Sequence, residues 1–136
     1  MEGAAEAVTA AFLTPLRLEK VDSGRWALID PLLFRSARYP GVFVAPRGFE
    51  TDLTSVPRAL WSIVPKVDRY DAAAVIHDAG YEGRLETLSG QRIHTTKAVA
   101  DSLFREACRA LGVGATRAAV MYAAVRIWGD PLRRVA

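Results

Sequence analysis

The stretch Ala74-Val75-Ile76-His77-Asp78-Ala79-Gly80-Tyr81 lies just beyond the point where the sequence changes its pattern. Upstream of about Arg69 the apolar residues come in short runs, whereas downstream they recur with the period of a helix. Asp68 or Asp71 can cap this first helix, which we expect to run to about Tyr81. The stretch therefore opens a helical part that follows a part rich in strands.

In the part upstream of this helix, short apolar runs alternate with turn signals, which is typical of short strands with tight connections. Asp22-Ser23-Gly24 is the best candidate for a hairpin turn, because Gly24 can adopt the positive φ that closes such a turn. From about residue 10 to residue 57 we expect a small antiparallel sheet, arranged as hairpins or a meander. The expected strands are Leu16-Arg17-Leu18-Glu19, Trp26-Ala27-Leu28-Ile29, Leu33-Phe34 and Val42-Phe43-Val44.

Two more helices are predicted downstream of the first. Thr95 or Thr96 caps the second helix and Gly112 ends it, while Gly129-Asp130-Pro131 stops the third, which is apolar on most of its sides. An apolar helix of this kind is either central or covers a partner. The sequence thus predicts an α+β fold, with a small antiparallel sheet followed by a three-helix core over about residues 68–130. We expect residues 1–136 to form a single domain.

Composition excludes several classes of protein. Of the 136 residues 51% are hydrophobic and 24% are charged, which is the balance of a folded domain and not of a disordered chain. The net charge of +3 is too small to indicate nucleic-acid binding, so no specific nucleic-acid partner is expected. The N-terminus carries Glu2 and Glu6 where a signal peptide would be basic, so we expect synthesis in the cytoplasm without export by a signal peptide. Cys108 is the single cysteine, which excludes an intrachain disulfide.

Three residues of the first two helices can form a catalytic group. His77 and Tyr81 are four residues apart and share one face of the first helix, and Asp101 is the only acid in the middle of the second. If the two helices pack antiparallel, Asp101 can accept hydrogen bonds from His77 and Tyr81. A carboxylate that holds one ring nitrogen fixes the tautomer, so the other nitrogen can act as a general base. The alternative is a core histidine whose ring is merely satisfied by Asp101 and Tyr81.

Two further carboxylates indicate a cation site. Asp78 points about 100° away from His77 on the helix, and Asp52 follows the last expected strand. Two carboxylates with backbone carbonyls from an irregular loop suit Ca²⁺, and the chain has no His/Cys cluster with the spacing of a zinc site. The alternative for Asp52 is an Asx-turn that leads into Ser55-Val56-Pro57.

The order of these segments resembles that of the bacterial and fungal secreted phospholipases A₂. Those enzymes pack a His-Asp-x-x-Tyr helix against a helix that bears an Asp, and here the similarity runs from Thr51 to Gly129. The resemblance implies that His77, Tyr81 and Asp101 form the catalytic group. It also implies that Asp52 and the backbone carbonyl of Leu53 bind Ca²⁺, which we expect Asp78 to bind as well. This chain departs from the secreted enzymes in having no disulfide, no export signal and about 50 additional N-terminal residues that form strands.

A second resemblance covers nearly the whole chain. Its motifs are Gly48-Phe49-Glu50-Thr51-Asp52-Leu53-Thr54-Ser55-Val56-Pro57-Arg58 and Ala74-Val75-Ile76-His77-Asp78-Ala79-Gly80-Tyr81. On these the chain is identified as a member of a phage and prophage family of unknown function. The resemblance implies a protein made in the cytoplasm of a bacterial host and associated with the virion.

Three hypotheses about function follow. The first is a phage-encoded, Ca²⁺-dependent hydrolase of phospholipid esters that acts at a membrane surface. The second is a structural component of the tail or baseplate, in which the strands contact other phage structural proteins. The third is a metal-dependent hydrolase of peptidoglycan or phosphate esters, which would need His94 at its site. His94 is otherwise expected in a surface loop.

The basic residues of the C-terminal helices outnumber the acids there. We expect them to form a solvated face, and contact with an anionic lipid surface or an acidic partner is the alternative. These residues are Arg105, Arg109, Arg117, Arg126, Arg133 and Arg134.

Overall fold

The structure is a computed structural model that describes residues 8–52 and 70–128. Several residues that the sequence analysis singled out therefore lie outside the described part of the chain. They are Leu53, Ser55-Val56-Pro57, Asp68, Gly129-Asp130-Pro131, Arg133 and Arg134.

In the described residues six strands precede three helices, which confirms the predicted α+β fold. The strands form two antiparallel sheets of three, with the orders β1-β4-β5 and β2-β3-β6. The strands are β1 (Ala11–Phe12), β2 (Leu18–Asp22), β3 (Arg25–Leu28), β4 (Leu32–Arg35), β5 (Val42–Ala45) and β6 (Glu50–Thr51). The helices are α1 (Asp71–Tyr81), α2 (Lys97–Ala110) and α3 (Ala115–Trp128).

The predicted turn joins β2 to β3. Leu18 pairs with Leu28 and Asp22 with Arg25, and Gly24 closes the turn with a φ of 82°. A residue with a side chain rarely adopts this conformation, so the glycine fixes the position of the turn. The turn residues are thus the part of the strand prediction that the local chemistry determines most directly.

The predicted N-cap is correct for α2, and Asp71 is not the N-cap of α1. Of the two predicted caps of α2, Thr95 and Thr96, the cap is Thr96, since its Oγ1 accepts a hydrogen bond from the backbone N–H of Val99 at 3.2 Å. At α1 the prediction for Asp71 is wrong, because the cap is Tyr70, which provides no side-chain hydrogen bond, and Asp71 is the first residue of the helix. Its carboxylate there lies at the positive end of the helix dipole.

Helix α1 is the most buried helix, and every residue from Ala72 to Tyr81 is buried. It packs antiparallel to α2. His77 contacts Phe104, whereas Tyr81, one turn further along α1, contacts Lys97 at the start of α2. An added Cβ on Gly80 would lie 3.0 Å from the Cβ of Ala100. The absence of a side chain at Gly80 therefore lets the two helices approach closely.

One hydrophobic cluster contains residues of both sheets and of all three helices, among them Leu28, Phe34, Ile76, Phe104 and Met121. The core thus extends across the boundary between the strand-rich and helical parts. No helix in the described ranges is long and apolar enough to cross a membrane.

Helix α3 is less central than its composition indicates. Ala118, Met121, Ala124 and Val125 are buried, whereas Ile127 is 66% exposed. Among the described residues, one side of this helix is therefore buried and Ile127 lies on the exposed side.

Candidate active site

The candidate active site lies between α1 and α2, at the level of Asp101. His77 and Tyr81 project from one face of α1 because they are one helical turn apart. His77 Nε2 lies 2.6 Å from Oδ1 of Asp101, and the hydroxyl of Tyr81 donates a hydrogen bond of 2.5 Å to the same oxygen. The structure thus brings together the three residues predicted to form the catalytic group.

These side chains are shielded from solvent. His77 is 2% exposed and Asp101 is fully buried. The imidazole of His77 packs against the rings of Tyr81 and Phe104, with centroid distances of 4.2 and 4.9 Å. The apolar rings hold the imidazole in one orientation and exclude bulk water from this side of the ring.

The contact with Asp101 determines the tautomer of a neutral His77. An ionised carboxylate only accepts hydrogen bonds, so the proton must reside on Nε2. The lone pair of the neutral ring is therefore on Nδ1. This is the arrangement that a histidine needs to act as a base through Nδ1 while a carboxylate stabilises the resulting imidazolium.

Two cations contact the other oxygen of Asp101. Oδ2 accepts hydrogen bonds from Nζ of Lys97 at 2.9 Å and from a guanidinium nitrogen of Arg126 at 3.0 Å. Nζ of Lys97 also donates to the backbone carbonyls of Val125 and Arg126, at 3.0 and 3.1 Å. Asp101 therefore links α1, α2 and the end of α3.

Lys97 and Arg126 are additional to the residues predicted for the site. Lys97 lies four residues before Asp101 on the same helix, and this i,i+4 spacing is the signal that could have indicated the pair. Arg126 is on a separate helix, and no sequence pattern connects it with Asp101. The expectation that Arg126 belongs to a solvated face is incomplete, since its guanidinium reaches a buried carboxylate.

Hydrogen bonds keep Asp101 ionised. Burial disfavours the charged carboxylate, but hydrogen bonds from His77, Tyr81 and Lys97 outweigh it, so the pKa of Asp101 is lowered from its ordinary value. Asp101 is thus ionised at neutral pH despite being fully buried.

The predicted cation ligands lie on two separate elements. Asp52 is exposed and directly follows β6, whereas Asp78 is on α1 and only 7% exposed. Leu53 lies outside the described residues. Within residues 8–52 and 70–128, no group of three or more His, Cys, Asp or Glu side chains could hold a metal ion. The Ca²⁺ site therefore stays a prediction, with two carboxylates as its described ligands.

Two other residues that could carry chemistry lie away from this group. Cys108 is fully buried, and burial raises the pKa of its thiol to about 12, which favours a packing role over a nucleophilic one. His94 is exposed in the segment that precedes α2, as predicted.

The fold and the site define an α+β protein with a buried His-Asp-Tyr group between its first two helices. The model of a family described as "Protein of unknown function (DUF1353)" matches residues 26–125, about three quarters of the chain, and the range includes His77, Tyr81 and Asp101. The chain belongs to this family. Membership in a family of unknown function agrees with the sequence analysis, whereas the phage setting stays a prediction. Neither the curated proteins nor the solved structures give a significant match to the chain.

Proposed function

We propose that this protein is a phage- or prophage-encoded ester hydrolase of the phospholipase A₂ type, with His77 as its general base. The observation that carries the proposal is the shared contact of His77 Nε2 and the Tyr81 hydroxyl with Oδ1 of a buried, ionised Asp101. A core histidine needs one acceptor for its ring. A buried charged carboxylate has a larger desolvation cost than a neutral acceptor would have. It is the kind of partner that supports a histidine in base catalysis.

In the proposed reaction Nδ1 of His77 takes a proton from a water molecule as the water oxygen attacks the ester carbonyl. The positive charge that develops on the imidazole is stabilised by Asp101, to which Nε2 remains hydrogen bonded. Tyr81 keeps Oδ1 of Asp101 in place. The imidazolium then returns its proton to the leaving alkoxide, so that a fatty acid and a lysophospholipid are released.

Lys97 and Arg126 are positioning residues in this scheme. Their contacts with Oδ2 keep the carboxylate ionised and fix its rotation, so that Oδ1 faces α1. Both cations partly neutralise the negative charge of Asp101. They therefore limit how strongly Asp101 raises the basicity of His77.

The proposed cation ligands fit a hard cation. Asp52 and Asp78 supply carboxylate oxygens, and the backbone carbonyl of Leu53 would supply a third oxygen ligand. Bound Ca²⁺ would polarise the ester carbonyl and stabilise negative charge on its oxygen. The phage setting and the phospholipid surface rest on the two resemblances of the sequence.

The test is fatty-acid release from vesicles of mixed phosphatidylcholine and phosphatidylglycerol, with Ca²⁺ and with chelator. We expect release with Ca²⁺ that falls to background in His77→Asn, because asparagine cannot take the proton. His94→Asn is the matched control, since His94 is exposed and outside the group, and it should retain the activity of the unmodified chain.

The outcomes of this assay separate the parts of the proposal. Equal release by the unmodified chain and by His77→Asn would contradict catalysis by His77. Release that depends on His77 but is unaffected by chelator would support His77 as the general base and contradict a role for Ca²⁺. Circular dichroism must show that both variants are folded.

The second candidate is a structural component of the virion tail or baseplate. The burial of His77 and the four donors around Asp101 favour it, because a network of this kind also fixes the packing of three helices. On this hypothesis the chain is present in purified particles at a fixed stoichiometry. His77→Asn would then impair particle assembly, while the unmodified chain would release no fatty acid.

A further inference from the structure

A groove of about 720 Å³ lies on the outward side of α2. Its lining comes from α2, from the segment that follows β4 and from residues that precede β1, and includes Ser102 and Arg105 of α2. Asp101 and Phe104 of the same helix are fully buried and do not belong to the lining. The groove is therefore distinct from the candidate active site.

Three arginines line this groove, Arg105 and Arg109 one turn apart on α2 and Arg38 after β4. In the described part of the chain none of them forms an ion pair. Arg105 stacks over the ring of Tyr122 at 5.3 Å, and Arg109 donates to the backbone carbonyl of Val113 at 3.0 Å. These contacts orient the guanidinium groups and leave their charge unneutralised.

Glu106 is the one acid among the described residues of the lining, and its carboxylate is already hydrogen bonded. Glu106 accepts hydrogen bonds from the hydroxyl of Ser36 at 2.7 Å and from the backbone N–H of Ala37 at 2.6 Å. Its carboxylate thus holds the segment after β4 against α2, which forms the groove. With three arginines and one glutamate, the described residues of the lining carry a net charge of +2.

We propose that this groove binds a phosphate monoester. A phosphate monoester carries about −1.5 to −2 charges at neutral pH, which matches the excess charge of the lining. Guanidinium groups bind phosphate oxygens with two parallel hydrogen bonds, and Ser102 provides a further hydroxyl donor. Apolar walls that include Ala10 and Ala110 can accept the organic group of the ester. This site is independent of the proposed ester hydrolysis.

The test is isothermal titration calorimetry of the full chain with phenyl phosphate at fixed ionic strength. We expect saturable binding that weakens at least about tenfold in Arg105→Gln/Arg109→Gln and in Arg38→Gln, because charge-assisted hydrogen bonds are lost. Arg117→Gln is the matched control, since Arg117 is exposed on α3 and outside the groove. His77→Asn should bind phenyl phosphate unchanged, so failure of the hydrolase proposal would leave this one intact.

Two further arms identify the charge and the source of the ligand. Methyl phenyl phosphate, a diester with one negative charge, should bind more weakly than phenyl phosphate. Sedimentation with phosphatidic-acid vesicles tests a lipid headgroup as the source, and arginine-dependent binding to these vesicles alone would assign the monoester to a lipid. Absence of arginine-dependent binding to both phenyl phosphate and the vesicles would overturn the proposal, as would equal affinity for the diester.

Discussion

At the scale of the single residue, Asp101 is a buried carboxylate that connects all three helices. One fully buried carboxylate receives donors from His77, Tyr81, Lys97 and Arg126. Burying this charge has a large desolvation cost, which the attraction to the donors must offset. The carboxylate therefore depends on all four donors staying at hydrogen-bond distance. Removal of the carboxylate charge would leave two cations beside the site without their partner.

The lowered pKa of Asp101 predicts that the free energy of unfolding decreases at acid pH. The pKa of Asp101 is lowered in the native state, so between that pKa and the unfolded value of about 3.9 the unfolded chain binds more protons. The stabilisation from Asp101 is therefore complete above about pH 4 and lost as the pH falls through the native pKa. Urea midpoints measured from pH 7 to pH 2 should fall more steeply below pH 4 for the unmodified chain than for Asp101→Asn.

At neutral pH we expect Asp101→Asn to be less stable by about 3 kcal/mol, because it breaks a buried charged network. Asp30→Asn is the control, since Asp30 forms an exposed ion pair with Arg17 at 2.6 Å and its loss should cost about 1 kcal/mol or less. Parallel pH profiles of the unmodified chain and Asp101→Asn would contradict the lowered pKa.

At the scale of the element, the close packing of α1 on α2 brings His77 within hydrogen-bond distance of Asp101. Gly80 faces Ala100 across this interface, since an added Cβ on Gly80 would lie 3.0 Å from the Cβ of Ala100. Gly80 directly precedes Tyr81, and Ala100 directly precedes Asp101. Small residues at this position let the two helices approach closely, and the residues next to them then make the polar contacts. The sequence motif and the helix packing are thus coupled through adjacent residues.

We expect Gly80→Ala to be destabilising by about 1 kcal/mol, although alanine is the better helix former by about the same amount. The added methyl would lie 3.0 Å from the Cβ of Ala100, and the overpacking cost of about 1–3 kcal/mol exceeds the gain in helix propensity. Denaturant unfolding of Gly80→Ala, Ala100→Gly and the double variant measures this. The double variant should be more stable than the sum of the single changes predicts, by about 1 kcal/mol.

Gly114→Ala provides the comparison for this experiment, because an added Cβ at Gly114 meets no atom within 4 Å. Its stability should change by less than about 0.5 kcal/mol. Strict additivity of Gly80→Ala and Ala100→Gly would contradict the argument that their contact limits the approach of the helices.

At the scale of the whole molecule, one hydrophobic cluster joins the two sheets to the three helices. Phe34 of β4, Ile76 of α1 and Cys108 of α2 belong to this cluster. A core that includes every layer favours unfolding as a single cooperative unit. The strand-rich part and the helical part are therefore expected to lose structure together.

Cys108 is a probe for this cooperativity. Its thiol is fully buried with a pKa raised to about 12, so it should react with a thiol reagent at pH 8 only after the core opens. We expect labelling to be slower than in the urea-unfolded chain by roughly a thousandfold or more. A cysteine introduced at Leu88, which is 67% exposed, should react rapidly in the same molecule and serves as the internal reference. Comparable labelling rates at both positions would show that the core opens locally.

The sequence by itself determined the features that depend on local chemistry. Alternation of apolar runs and turn residues predicted β2 to β5 but missed the two-residue strands β1 and β6, and Gly24 located the hairpin. The start of α2 was predicted at Thr95 or Thr96, and Thr96 is the cap. The i,i+4 spacing of His77 and Tyr81, with a lone acid on the next helix, was sufficient to predict their contact with Asp101. Each of these sequence patterns is local or involves two helices that are consecutive in the chain. Consecutive helices connected by a short segment can pack in only a few ways.

Only the tertiary structure decided which distant residues complete these groups. The division of the strands into two sheets depends on pairings such as β1 with β4, which no local pattern specifies. Arg126 reaches Asp101 from a third helix, and Arg38 joins Arg105 and Arg109 in one groove across more than sixty residues. Local propensity acts over a few residues, whereas long-range contacts are chosen by the packing of the whole core, and for that reason they could not be predicted from the sequence.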